Sequence, residues 1–74
     1  MEVYVKAVGK DRKLKWPASH YISESKKFEV KCKILHRDLG IFSDTYKLRL
    51  KGDPERVAAF ISFLKLQGFN IQHY

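Results

Sequence analysis

The side chains best equipped for catalysis or metal binding in this chain are His20, Cys32, His36 and His73. A metal centre needs ligands that one or two elements present together, at short and regular spacings. Here each histidine falls on a different predicted element, and none stands at a ligand spacing from another or from Cys32. His36 and Asp38 share one predicted turn, a pairing that can support general acid–base chemistry but is also ordinary turn composition. No Gly-rich phosphate loop, nucleophile elbow or paired-carboxylate motif is visible. The expectation is a protein that is not an enzyme and uses no metal and no cofactor.

The chemistry that the sequence does carry is cationic. Fifteen Lys and Arg oppose eight Asp and Glu, a net charge of +7 on 74 residues. Such an excess attracts polyanions: nucleic acid, an anionic surface or an acidic protein. Lysines outnumber arginines eleven to four, which favours diffuse contact with phosphates over the bidentate base reading at which Arg excels. The alternation of the predicted strands puts Lys6, Lys31, Lys33, Lys47, Arg49 and Lys51 on one sheet face, as candidate phosphate ligands. Lys13, Lys15 and Lys27 are assigned to the same face, opposed there by Glu2 and Glu29. Tyr4 is the one clear aromatic among them, so backbone-dominated binding of DNA or RNA is expected. His20 and Tyr21, in a connector, are candidates for an added stacking contact.

These residues need elements to hold them. The clearest is a helix over Pro54–Gln67. Asp53 is its N-cap, Pro54 its first residue, Glu55 an acid in its first turn, and Gly68 its left-handed stop. Val57, Phe60, Ile61 and Leu64 form the core-facing stripe. Ala59, Phe63 and Leu66 form a second apolar patch, read either as the edge of a wide core face or as an interface. Before the helix, Glu2–Val8 alternates as a strand with Val3, Val5 and Ala7 inward. Gly9, Lys10 and Asp11 supply a turn, and Arg12–Trp16 is predicted as a short second strand ended by Pro17.

Ala18–Ser25 reads as a polar connector. Lys26–Leu35 reads as a strand with Phe28, Val30, Cys32 and Ile34 inward, and His36–Gly40 as a hairpin loop with Gly40 left-handed. Ile41–Lys51 reads as the partner strand, with Tyr46, Leu48 and Leu50 inward. If that hairpin pairs Leu35 with Ile41, Glu29 faces Lys47 and Lys27 faces Arg49; a slip of two residues puts Lys31 opposite Lys47. Either register leaves like charges side by side, which argues for an anionic partner. Phe69–Tyr74 is the last strand, with Phe69, Ile71 and His73 sharing a face.

The predicted order is β-β-loop-β-β-α-β. It implies an α+β fold: a mixed, mostly antiparallel sheet of four or five strands covered on one face by a single helix, in one domain spanning residues 1–74. Lys47–Tyr74, 28 residues, resembles part of ferredoxin-like and other small α+β sandwich domains, and the resemblance implies a fold only. No apolar run is long enough to span a membrane, and no signal peptide is expected after Met1. With a single cysteine, a cytoplasmic setting is expected. The functional expectation is a small nucleic-acid-binding protein with a lysine-rich sheet face. The alternative is an interaction or regulatory module, a homodimer or an adaptor for an acidic partner, using the helix patch or the sheet edges.

Overall fold

A computed structural model describes residues 1–10 and 12–74. The elements follow in the order β1 (Glu2–Lys10), α1 (Ala18–Ser23), a 3-10 helix (Glu24–Phe28), β2 (Lys31–Leu39), β3 (Ser43–Lys51), α2 (Pro54–Gln67) and β4 (Phe69–His73). They form an α+β fold on a four-stranded sheet of order β2-β3-β1-β4. All three neighbouring pairs are antiparallel. The strand pair β3 and β4 does run in one direction, as the intervening helix requires, but β1 lies between them. The two β-α-β units therefore interlock, each placing a strand of the other between its own two, which is the ferredoxin-like plan.

The core follows the period-two pattern of the strands. Val5, Ala7, Tyr46, Leu48, Leu50 and Phe69 project from the sheet onto Val57, Phe60, Ile61 and Leu64 of α2. The α2 boundaries match the cap chemistry. The Glu55 N–H donates to the Asp53 carboxylate at 3.0 Å, and Gly68 ends the helix at a φ of 112°, a conformation that costs glycine little.

Several sequence expectations are corrected. Arg12–Trp16 forms no strand; residues 12–16 turn instead toward α1, which opens on Pro17. A Pro ahead of Ala18 presets the helical entry, and Ala18, Tyr21, Ile22 and Ser25 are then buried at i, i+3, i+4 and i+7. The sheet is thus covered by α1, the 3-10 turn and α2, rather than by one helix. The strand predicted from Lys26 begins only at Lys31, because Glu29 takes a left-handed conformation at φ 57° and ends the helical stretch there. Phe28 and Val30 still reach the core. The hairpin loop is Gly40–Phe42 rather than His36–Gly40, and Gly40 does not have a positive φ. It is small for another reason: a Cβ there would meet the Ser43 carbonyl oxygen at 2.6 Å. In the predicted turn after β1, Gly9 and Lys10 are still strand, and Asp11 lies outside the described residues.

Candidate nucleic-acid interface

The helices cover one face of the sheet and leave the other open. On that open face each strand presents every second side chain, and the register fixes who stands beside whom. The pairing differs from both sequence-derived registers. Lys31 is opposite Lys51 and Lys33 opposite Arg49, with a bulge between Ile34 and His36 that leaves Leu35 as the extra residue. Across the other side of β3, Lys6 is opposite Lys47, Tyr4 opposite Arg49 and Glu2 opposite Lys51. Lys6, Lys31, Lys33, Lys47, Arg49 and Lys51 therefore all share the open face, in rows about 7 Å apart along the strands and about 5 Å apart between them. Lys10 extends the same face at the end of β1, opposite Ser43.

The acids near these cations form no ion pair with them among the described residues, although Glu2 stands opposite Lys51. Among the described residues the ion pairs are His20–Glu24 at 3.5 Å, Lys27–Glu24 at 2.9 Å and Arg56–Glu29 at 2.6 Å. None involves a cation of the open face. Glu29 is not on that face, because its left-handed turn carries it to α2 and Arg56. Lys27 lies in the 3-10 helix, where its hydrogen bond holds the Glu24 carboxyl below its usual pKa. Lys13 stands against Gly68, and Lys15 beside Trp16 and Tyr21 on the helix side. These three lysines are thus absent from the face, and of the two acids assigned to it only Glu2 remains. Asp38, near the hairpin tip and opposite Thr45, is a second acid there.

An aromatic pair adjoins the cations. The Tyr74 N–H donates to the Tyr4 carbonyl at 3.1 Å. The two rings lie 6.2 Å apart at 60°, and the Lys47 ammonium stands 5.5 Å over the Tyr74 ring. The Tyr4 hydroxyl donates to Glu2 Oε1 at 2.8 Å, which holds the phenol neutral and raises its pKa. One row across the sheet therefore reads Tyr74, Tyr4, Arg49, Lys33: two stacking surfaces, then two cations. Tyr4 is legible from its strand. Tyr74 is a site residue that the sequence reading misses, although the alternation that turns Phe69 and Ile71 inward sends residue 74 to the open face.

The remaining candidates sit elsewhere. His20 and Tyr21 are on α1, on the helix side, so neither joins the basic face. They line a cleft of about 490 Å³ with Trp16, Phe28 and Phe63. Phe63 is half-buried there, its ring 5.2 Å from Phe28 and 6.3 Å from Phe60. Ala59 and Leu66 stay exposed, Leu66 at 84%. The three residues thus do not form one exposed patch: Phe63 is the edge of a wide core face. His36 is on the open face opposite Lys47, and His73 on the core face beside Val5. Among the described residues no three His, Cys, Asp or Glu side chains cluster as metal ligands, and no helix is long and apolar enough to cross a membrane.

Neither family models nor curated proteins match this sequence. Solved structures do share the fold. The C-terminal domain of an ABC transporter ATP-binding protein from Enterococcus faecalis superposes with a TM-score of 0.75 at 17% identity, over 96% of this chain and 81% of that one. The de novo designed protein Foldit4 superposes with a TM-score of 0.60 at 12% identity, over 100% of this chain and 94% of that one. At these identities the likeness is one of fold alone, an α+β fold on a four-stranded sheet.

Proposed function

We propose that this chain binds single-stranded nucleic acid across the open face of its sheet, with the phosphate backbone as the main contact. The observation that carries the reading is the row Tyr74–Tyr4–Arg49–Lys33, set among like charges that directly oppose one another and form no ion pair among the described residues. Lys33 against Arg49, Lys31 against Lys51 and Lys6 against Lys47 each work against the fold. A polyanion laid over them turns that cost into affinity and releases condensed counterions. Phosphates would engage Lys6, Lys31, Lys33, Lys47, Arg49 and Lys51, while bases stack on Tyr4 and Tyr74. Every base has a π-face, so such stacking tolerates sequence. An open sheet face suits a single strand, whose bases splay out, better than a duplex, whose grooves admit a protruding helix or ribbon. The β2–β3 hairpin is such a ribbon, but it ends in the apolar Leu39, Ile41 and Phe42.

The test is fluorescence anisotropy of labelled oligonucleotides with the wild type and with Tyr4→Ala and Tyr74→Ala. Stacking is worth ~1–3 kcal/mol per base, so each variant is expected to weaken single-strand binding by roughly fivefold or more and to leave weak duplex binding unchanged. Equal losses for single strands and duplexes would remove the stacking role. An interaction module remains the second reading. The observation in its favour is the exposed edge of β2, not the helix.

A further inference from the structure

The helical layer stops short of β2. Cys32 is its only half-buried residue; Ile34 is 43% exposed and Leu39 57% exposed on the face that elsewhere carries the core. At the hairpin tip Ile41 is 85% and Phe42 80% exposed. The strand is nine residues long and lies at the edge of the sheet, so one side of its backbone is unpaired.

The register says which groups that edge presents. Tyr4 turns its carbonyl toward β4, so the Tyr4–Arg49 pair does not exchange hydrogen bonds and Arg49 faces β2. Lys33 therefore bonds inward to β3, and the free edge carries the N–H and C=O of Cys32, Ile34, Arg37 and Leu39. Isolated bulges usually protect edges. This one has another consequence. In a regular strand, two residues an odd number of places apart lie on opposite faces, so they cannot pair across a two-fold axis. The extra residue at Leu35 reverses that rule for residues on either side of it. Lys33 and Asp38 now share the open face, and Cys32, Ile34, Arg37 and Leu39 share the core face.

We propose that β2 pairs antiparallel with β2 of a second copy of this chain about a two-fold axis, Lys33 of each copy opposite Asp38 of the other. In that register Ile34 meets Arg37 and Cys32 meets Leu39, and these are the hydrogen-bonded pairs on both strands. Lys33 and Asp38 fall in the closer, non-hydrogen-bonded pairs. Charge complementarity favours this register: a shift by two residues pairs Lys31 with Asp38 but sets Lys33 against His36, and a shift by one pairs opposite faces. The dimer is an eight-stranded sheet whose two basic faces are continuous, and the exposed Ile34 and Leu39 of both copies gather beneath it. This inference does not depend on what the basic face binds.

The experiment is sedimentation equilibrium from about 10 μM to 1 mM on the wild type, Lys33→Asp, Asp38→Lys and the double exchange. Far-UV circular dichroism and thermal melts establish that each is folded. A dimer is expected for the wild type. Each single reversal sets two like pairs across the axis and should weaken association roughly tenfold or more, and the double exchange should restore it. A wild type that stays monomeric at 1 mM overturns the proposal and leaves the edge to another partner. A dimer indifferent to the single reversals, or a folded double exchange that stays dissociated, overturns it too.

Discussion

Replacing Lys6 by Glu should make the protein more stable and a worse ligand for nucleic acid. Lys6 sits on a central strand, directly opposite Lys47 on β3 and Gln72 on β4, with Arg49 on the diagonal. Long side chains splay, so a charge separation of about 7 Å is reasonable. At that distance in a water-like dielectric, two unit charges interact by about 0.6 kcal/mol. Reversing the sign at Lys6 changes a repulsion into an attraction, worth about 1 kcal/mol, which is also the scale of measured cross-strand pairs. For a domain of this size that corresponds to a rise in Tm of about 4–8 °C. The assay is a thermal melt followed by circular dichroism at 20 mM and at 1 M salt, with Lys6→Gln as the neutral control. At 1 M the Debye length is about 3 Å, so most of the gain should vanish, and Lys6→Gln should fall between the two. A lower Tm for Lys6→Glu at low salt, or a gain of the same size at 1 M, would refute the claim that the cations of this face repel one another.

Two further outcomes test the interior. Phe63→Ala should cost about 3 kcal/mol, the low end for a Phe truncation because the ring is half-buried, whereas Leu66→Ala should stay within about 0.5 kcal/mol; urea unfolding that finds equal costs would contradict their placement. Burial pushes the Cys32 thiol up to about 11, so native protein at pH 8 should react with iodoacetamide about a hundredfold more slowly than a free cysteine, with the rate rising until near pH 11. Because the folded pKa is the higher one, the thiol's contribution to stability is complete below its ordinary range and is lost as pH rises through about 11. A native reactivity midpoint near pH 8.5 would contradict the burial.

The sheet is legible in the sequence where its pattern is strictly period two. Val5 and Ala7, then Tyr46, Leu48 and Leu50, announce their faces, and their polar neighbours follow. That is why alternation alone puts all six cations assigned as phosphate ligands on one face. The α2 boundaries are legible because Asp53, Pro54 and Gly68 each have one dominant use. The α1 segment is not, because Ser19, His20, Ser23 and Ser25 make it look like a loop. Its signal is the four-residue stripe Ala18, Tyr21, Ile22 and Ser25, with a serine as the fourth member. Phe28 and Val30 hide the end of that helical stretch, since their spacing continues the alternation of β2. The hairpin register is out of reach for a different reason. A bulge adds one residue without any composition of its own, and Leu35 looks like any strand leucine. Together with the later loop at Gly40–Phe42 the bulge changes the site, where Lys33, and not Lys27 or Glu29, faces Arg49.

The central claim is that phosphates are held on the open face by its cations. The most direct measurement is the anisotropy of a labelled single-stranded homopolymer against the wild type across a salt series from about 20 to 300 mM. If the six cations engage, log K should fall linearly with log salt at a slope approaching about −4, near −0.7 for each phosphate neutralised on a single strand. Lys6→Glu should make that slope shallower by close to one cation's share. No binding at 20 mM salt, or binding whose slope is near zero, would contradict the account.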